Sequence, residues 1–172
     1  MNHLNVWLRA VLLLVACVPA MGANSLETAE KDARAFANCM LTMNADCVVL
    51  SSDIDAYVRL ARQRLPASDP DLQFAELQER FFYAMKENGR HYLQWEVAEP
   101  GTLFSVNGIR YVFVPYIQVT RSPTGDSTDR TSLIGISKDN GSSWKFVDGH
   151  SMALADLKAV IPGYSGSPPF PL

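Results

Sequence analysis

At Arg90 the apolar period of this chain changes from about 3.6 to 2, and that switch limits the possible folds more than any single motif. Upstream, Leu26, Ala29, Ala33, Phe36, Met40 and Met43 recur at intervals of three and four, which predicts a helix over about 25–43 with one apolar stripe. Asn24 and Glu27 have capping-box spacing at its start. A second helix is expected over about 53–65, capped by Ser52, striped by Ile54, Tyr57, Ala61 and Leu65, and stopped by Pro66. Asp69, Pro70 and Gly89 bound a third, whose expected buried face is Phe74, Leu77, Phe81, Ala84 and Met85.

Downstream, the alternation places His91, Leu93, Trp95 and Val97 on one face of a strand and Tyr92, Gln94 and Glu96 on the other. Pro100-Gly101 turns the chain, and Asn107-Gly108 joins 103–106 to 109–114 in a hairpin. The second of these strands extends toward Thr120 with Pro115 inside it, so an edge position or a bulge is expected there. A polar loop is expected over 121–130. The strands 133–137 and 144–147 then flank Asp139-Asn140-Gly141, residues that tolerate left-handed backbone. Ser137, Asp139, Gly141 and Trp144 match the S-x-D-x-G-x-x-W spacing of the Asp-box, a structural hairpin motif that occurs once here and so excludes a propeller. A Ser151-capped helix over 153–160 ends at Pro162-Gly163. The expected fold is α+β: three N-terminal helices on one face of a curved antiparallel sheet of four to five strands, then a short C-terminal helix.

The 172 residues suit one domain, expected over 24–163, with a leader over 1–23 and a Pro-rich tail over 164–172. In the leader, Arg9 precedes an apolar run, 10–18, too short to span a bilayer, which predicts a signal peptide and export to the periplasm. Ala20, Gly22 and Ala23 suit ordinary cleavage, whereas Leu14-Val15-Ala16-Cys17 resembles a lipobox, which would anchor the protein to the membrane by lipid at Cys17. Cys39 and Cys47 then form an even pair in an exported chain, and a disulfide is expected between them. With a formal charge of −3 and no basic run, the chain is not expected to bind nucleic acid. No zinc spacing, phosphate-binding glycine loop or nucleophile elbow occurs, so no metal or cofactor is expected. The tail Ser165–Leu172, SGSPPFPL, favours polyproline geometry; it is either a loosely held end or a ligand for an aromatic groove.

The long first helix with Phe36, the Asn44-Ala45-Asp46 turn, the second helix and the closing Trp144-Lys145-Phe146-Val147-Asp148 strand resemble the nuclear transport factor 2-like superfamily. That resemblance implies a sheet wrapped around a helix as a cone, with a pocket at its wide end and dimerisation through the open sheet face. The Trp-Lys-Phe-Val-Asp-Gly stretch, followed by a helix and a Pro-rich tail, also resembles small exported proteobacterial proteins of unknown function. Enzymes of the superfamily place an Asp, His or Tyr in the pocket for acid–base work, and His91 is the candidate here. Trp95, Tyr111 and Tyr116 are candidates to line a ligand pocket, and Asp148 and His150 could stand at its mouth. Asp53 and Asp55 fall in a first helical turn, where capping explains them. Three functions follow as expectations: a non-catalytic module binding a small ligand or an envelope protein, a cofactor-independent isomerase or hydrolase, or an envelope inhibitor of immunity type.

Overall fold

The computed structural model describes residues 20–64 and 73–166. Residues 1–19 of the expected leader, Cys17 among them, the Asp69-Pro70 helix start and the tail from Ser167 lie outside the described residues. Among the described residues five helices, α1 (Ala20–Leu41), α2 (Ala45–Ser51), α3 (Ile54–Arg64), α4 (Phe74–Glu87) and α5 (Leu154–Val160), accompany five strands, β1 (His91–Val97), β2 (Phe104–Val106), β3 (Ile109–Ser122), β4 (Gly125–Ser137) and β5 (Lys145–Asp148). The architecture is α+β, and the sheet is antiparallel in the order β1-β3-β4-β5, with β2 also paired to β3.

The first half holds one helix more than expected. Asn44, read as part of a turn, accepts a hydrogen bond from the Cys47 amide and caps α2, and the Cys39–Cys47 disulfide ties α2 to the end of α1. Because α1 already begins at Ala20, Asn24 does not cap it; its carbonyl accepts the Thr28 hydroxyl inside the helix. Ser52 likewise does not cap the start of α3; it is the C-cap of α2, its amide donating to the Val49 carbonyl. It bridges to Phe146, and Asp53 caps α3 by accepting the Ala56 amide. In α4 the buried side chains are Phe82 and Met85, while Leu77 and Phe81 are exposed, a rotation of the expected stripe. Ser151 does not cap α5 either: that helix follows Ala153, whose amide is accepted by Asp156.

Along β3, Val112, Val114 and Tyr116 face a core built on α1, with Phe36, Leu133 and Phe146. Tyr111, Ile134, Ile136 and Val147 face a second core under α3 and α5, with Leu60, Leu157 and Val160. Helices therefore cover both faces of the sheet rather than one. The physical reason lies in the central strands, whose successive residues are buried on both sides, as a sheet interior requires.

Two local departures shape the sheet. The expected polar loop over 121–130 is mostly strand: β3 and β4 pair without a break from Arg110 opposite Ser137 to Ser122 opposite Gly125, around Pro123-Thr124. Arg121 and Asp126 pair across the end of this long hairpin. Pro115 lies within an interior strand, yet its carbonyl accepts the Ala98 amide, so its nitrogen faces the break between the end of β1 and the start of β2. The Asp-box hairpin forms as expected. Ser137 Oγ donates to Asp139 and accepts the Gly141 amide, Asp139 accepts from Ser143, and Asn140 and Gly141 hold φ of 61° and 89°. Trp144 is buried and fastens this hairpin to α1 by donating from its backbone to Asp32 and from its indole to the Ser25 carbonyl.

Candidate functional site

On the α1 side of the sheet, one end of the hydrophobic core opens into a polar cavity of about 250 Å³. Arg90 reaches it from just before β1, Tyr92 from β1, Gln118 and Thr120 from β3, Asp129 from β4 and Asp148 from β5, with His150 and the α4 residues Phe81 and Met85 at its rim. The β-ladder explains this convergence. Trp95 stands opposite Gln118 and Gln118 opposite Asp129, while Leu133 stands opposite Asp148, so one face of four strands presents its polar residues at the same end.

Asp148 is the centre of the arrangement. Its Oδ1 accepts the Tyr116 hydroxyl at 2.6 Å and the His150 amide at 2.9 Å, and its own amide donates to the Tyr57 hydroxyl at 3.1 Å. No described residue donates to Oδ2, the oxygen left to the cavity. Burial raises the Asp148 carboxyl above the ordinary carboxylate range, against the lowering effect of the Tyr116 and His150 donors. Burial first, and then the Asp148 charge, also push the Tyr116, Tyr92 and Tyr57 hydroxyls upward, so at neutral pH all three remain protonated donors. Beside them Gln118 donates to Asp129 at 3.2 Å.

Next to the lining residue Tyr92, aromatic rings pack in the core. Trp95 and Tyr116 stack with centroids 4.3 Å apart, and Tyr92 meets Trp95 edge-on at 5.5 Å. The indole N–H of Trp95 is buried and has no hydrogen-bond partner among the described residues.

No known protein family, curated protein or solved structure matches this chain. Its chemistry is therefore read from the geometry alone.

The structure unites some of the expected residues and separates others. Trp95 and Tyr116 stand together, but Tyr111 lies on the opposite face, in the second core, because it and Tyr116 are an odd number of residues apart on an unbroken strand. His91 is exposed and does not share the Trp95 face. The pairing of β1 with β3 slips between Tyr92, opposite Thr120, and Gln94, opposite Val119, so Tyr92 joins Trp95 on the inner face and His91 turns outward beside Arg121. Asp53 and Asp55 both meet Lys138, at 3.0 and 2.8 Å, far from this cavity. Among the described residues no group of three or more His, Cys, Asp or Glu side chains could hold a metal ion.

Tyr92, Gln118, Thr120 and Asp129 were missed. Their one sequence signal is alternation continuing through Gln118, Thr120 and the polar stretch that follows, which composition alone reads as loop.

Proposed function

We propose that this is an exported cell-envelope protein whose domain belongs to the nuclear transport factor 2-like superfamily and binds a small ligand in the cavity around Asp148. The convergence of Asp148, Asp129, Gln118 and Tyr92 in one cavity carries this reading, since a few placed polar groups fix a ligand's orientation. The volume, just below the range that pockets for drug-sized ligands occupy, favours a compact molecule. A long helix laid on an antiparallel sheet is compatible with the cone of that superfamily. The Cys39–Cys47 disulfide favours an oxidising compartment. No helix among the described residues is long and apolar enough to cross a membrane.

The test is a fragment library titrated against the protein and followed by NMR. Binders are expected to move the Tyr92 ring and Gln118 side-chain amide signals together, and Gln118→Leu is expected to weaken them at least tenfold. A set of binders that leaves those signals in place would overturn the reading.

The Asp148–Tyr116 hydrogen bond also favours a second reading, a cofactor-independent isomerase or hydrolase in which Asp148 accepts a proton and Tyr116 donates a hydrogen bond. Asp148→Asn separates the two. In an enzyme the wild type converts its bound ligand and the variant binds without converting it, whereas in a binding module both forms return the ligand unchanged and the variant binds it more weakly.

A further inference from the structure

On the opposite face of the sheet an apolar hollow lies between Phe104, Phe113, Pro115, Ser132 and Tyr164. A second hollow, lined by Ile117 and Arg130 among others, shares Pro115 and Ser132 with it, so the two form one groove along β3 beyond the edge of α5. We propose that the chain's own C-terminal segment, Ser167–Leu172, docks in this groove with the Phe170 ring as its anchor.

Three observations select this occupant. The first is position. Tyr164 packs its ring against Phe104 and Phe113, with centroids 5.8 and 6.0 Å away. Gly166 is already folded back on that ring, since a Cβ at Gly166 would stand 2.6 Å from the Tyr164 hydroxyl. The chain therefore leaves the described residues at the mouth of the groove. Gly166 is required there because any side chain would strike the tyrosine.

The second is length. From the level of Phe113, opposite Ile134, to that of Ile117, opposite Arg130, the groove follows four residues of β3, roughly 13 Å at the rise of a strand. Six residues in polyproline geometry span about 19 Å, enough to run its length.

The third is chemistry. Ser-Pro-Pro-Phe-Pro-Leu carries no side-chain charge, and three prolines in six residues lower the ordering cost of an extended ligand. A proline-rich strand against aromatic rings is an established recognition mode. The groove lies on a face of the sheet where β3 and β4 already pair with each other, so a segment laid across it displaces no β-ladder.

The test is 19F NMR of the full chain carrying 4-fluorophenylalanine at position 170. Docking predicts a resonance displaced from that of the free octapeptide SGSPPFPL and unchanged on dilution. Phe104→Ala should return it toward the peptide position, with far-UV circular dichroism checking that the fold persists. A peptide-like resonance in the unaltered chain would overturn the proposal, with or without that variant. A displaced signal that reverts on dilution would overturn it in favour of a second copy as the occupant.

Discussion

Replacing Tyr116 by Phe isolates one hydroxyl. The phenylalanine ring can keep the 4.3 Å stack on Trp95, and the position is 2% exposed, so the only group withdrawn is the donor 2.6 Å from Asp148 Oδ1. A hydrogen bond to a charged acceptor contributes about 1.5–3 kcal/mol, and Asp148 would retain the His150 amide alone. A loss of about 2 kcal/mol corresponds to a fall in Tm of roughly 4–8 °C in a domain of this size. The loss should also depend on pH. Because the folded carboxyl titrates above its unfolded value, near 3.9, the stability linked to protonated Asp148 is complete below that value and disappears as pH rises through the folded one. Tyr116 favours the charged form, so its removal raises the folded pKa further. The penalty should therefore be largest near pH 8 and shrink toward about 1 kcal/mol, the worth of a neutral hydrogen bond, as pH approaches about 4. Urea unfolding across that range measures it. A penalty below about 0.5 kcal/mol, or one equal at both ends, would refute the assignment of Asp148 as a buried carboxylate held by Tyr116.

Three further outcomes are expected. Gly135→Ala would place a Cβ 2.8 Å from Val112 Cγ1 and within 3.2 Å of the Phe146 and Trp144 rings, and chemical denaturation should report a loss of about 1–3 kcal/mol from overpacking. Asp139→Ala removes the acceptor of the Ser137 and Ser143 bonds and should cost about 1 kcal/mol near neutral pH. The Ser143 and Ser137 donors hold this carboxyl at about 2, so the wild-type advantage is present above the unfolded value and is lost as pH falls through about 2, which acid unfolding can follow. Reduction of the Cys39–Cys47 disulfide, which joins residues eight apart, should lower stability by roughly 2–3 kcal/mol, and calorimetry with and without reductant checks it.

Much of the fold was legible because its signals are local. The Asp-box needs only hydroxyl, carboxylate and left-handed residues at fixed offsets, and Ser137, Asp139 and Gly141 make the expected bonds within their own hairpin. The stripe from Ala29 to Met40 needs only the helical period, and it is buried as read. Asp148 and His150 were visible as a possible pocket mouth, while the rest of the site was not. Whether a strand residue faces the cavity depends on its partner's register, and the slip between Tyr92 and Gln94 exchanged the roles of His91 and Tyr92.

The sequence by itself determined the α+β class, the Asp-box hairpin, the two-cysteine pairing and the order of most elements, since periodicity, turn chemistry and cysteine count act within short stretches of chain. Only the tertiary structure decided that helices cover both faces of the sheet, that 126–130 is strand, and that Tyr92, Gln118, Asp129 and Asp148 meet around one cavity with Tyr116 donating to Asp148. Those outcomes depend on pairings between residues far apart in the chain, where the burial gained by the whole sheet outweighs the weak local preference of each segment.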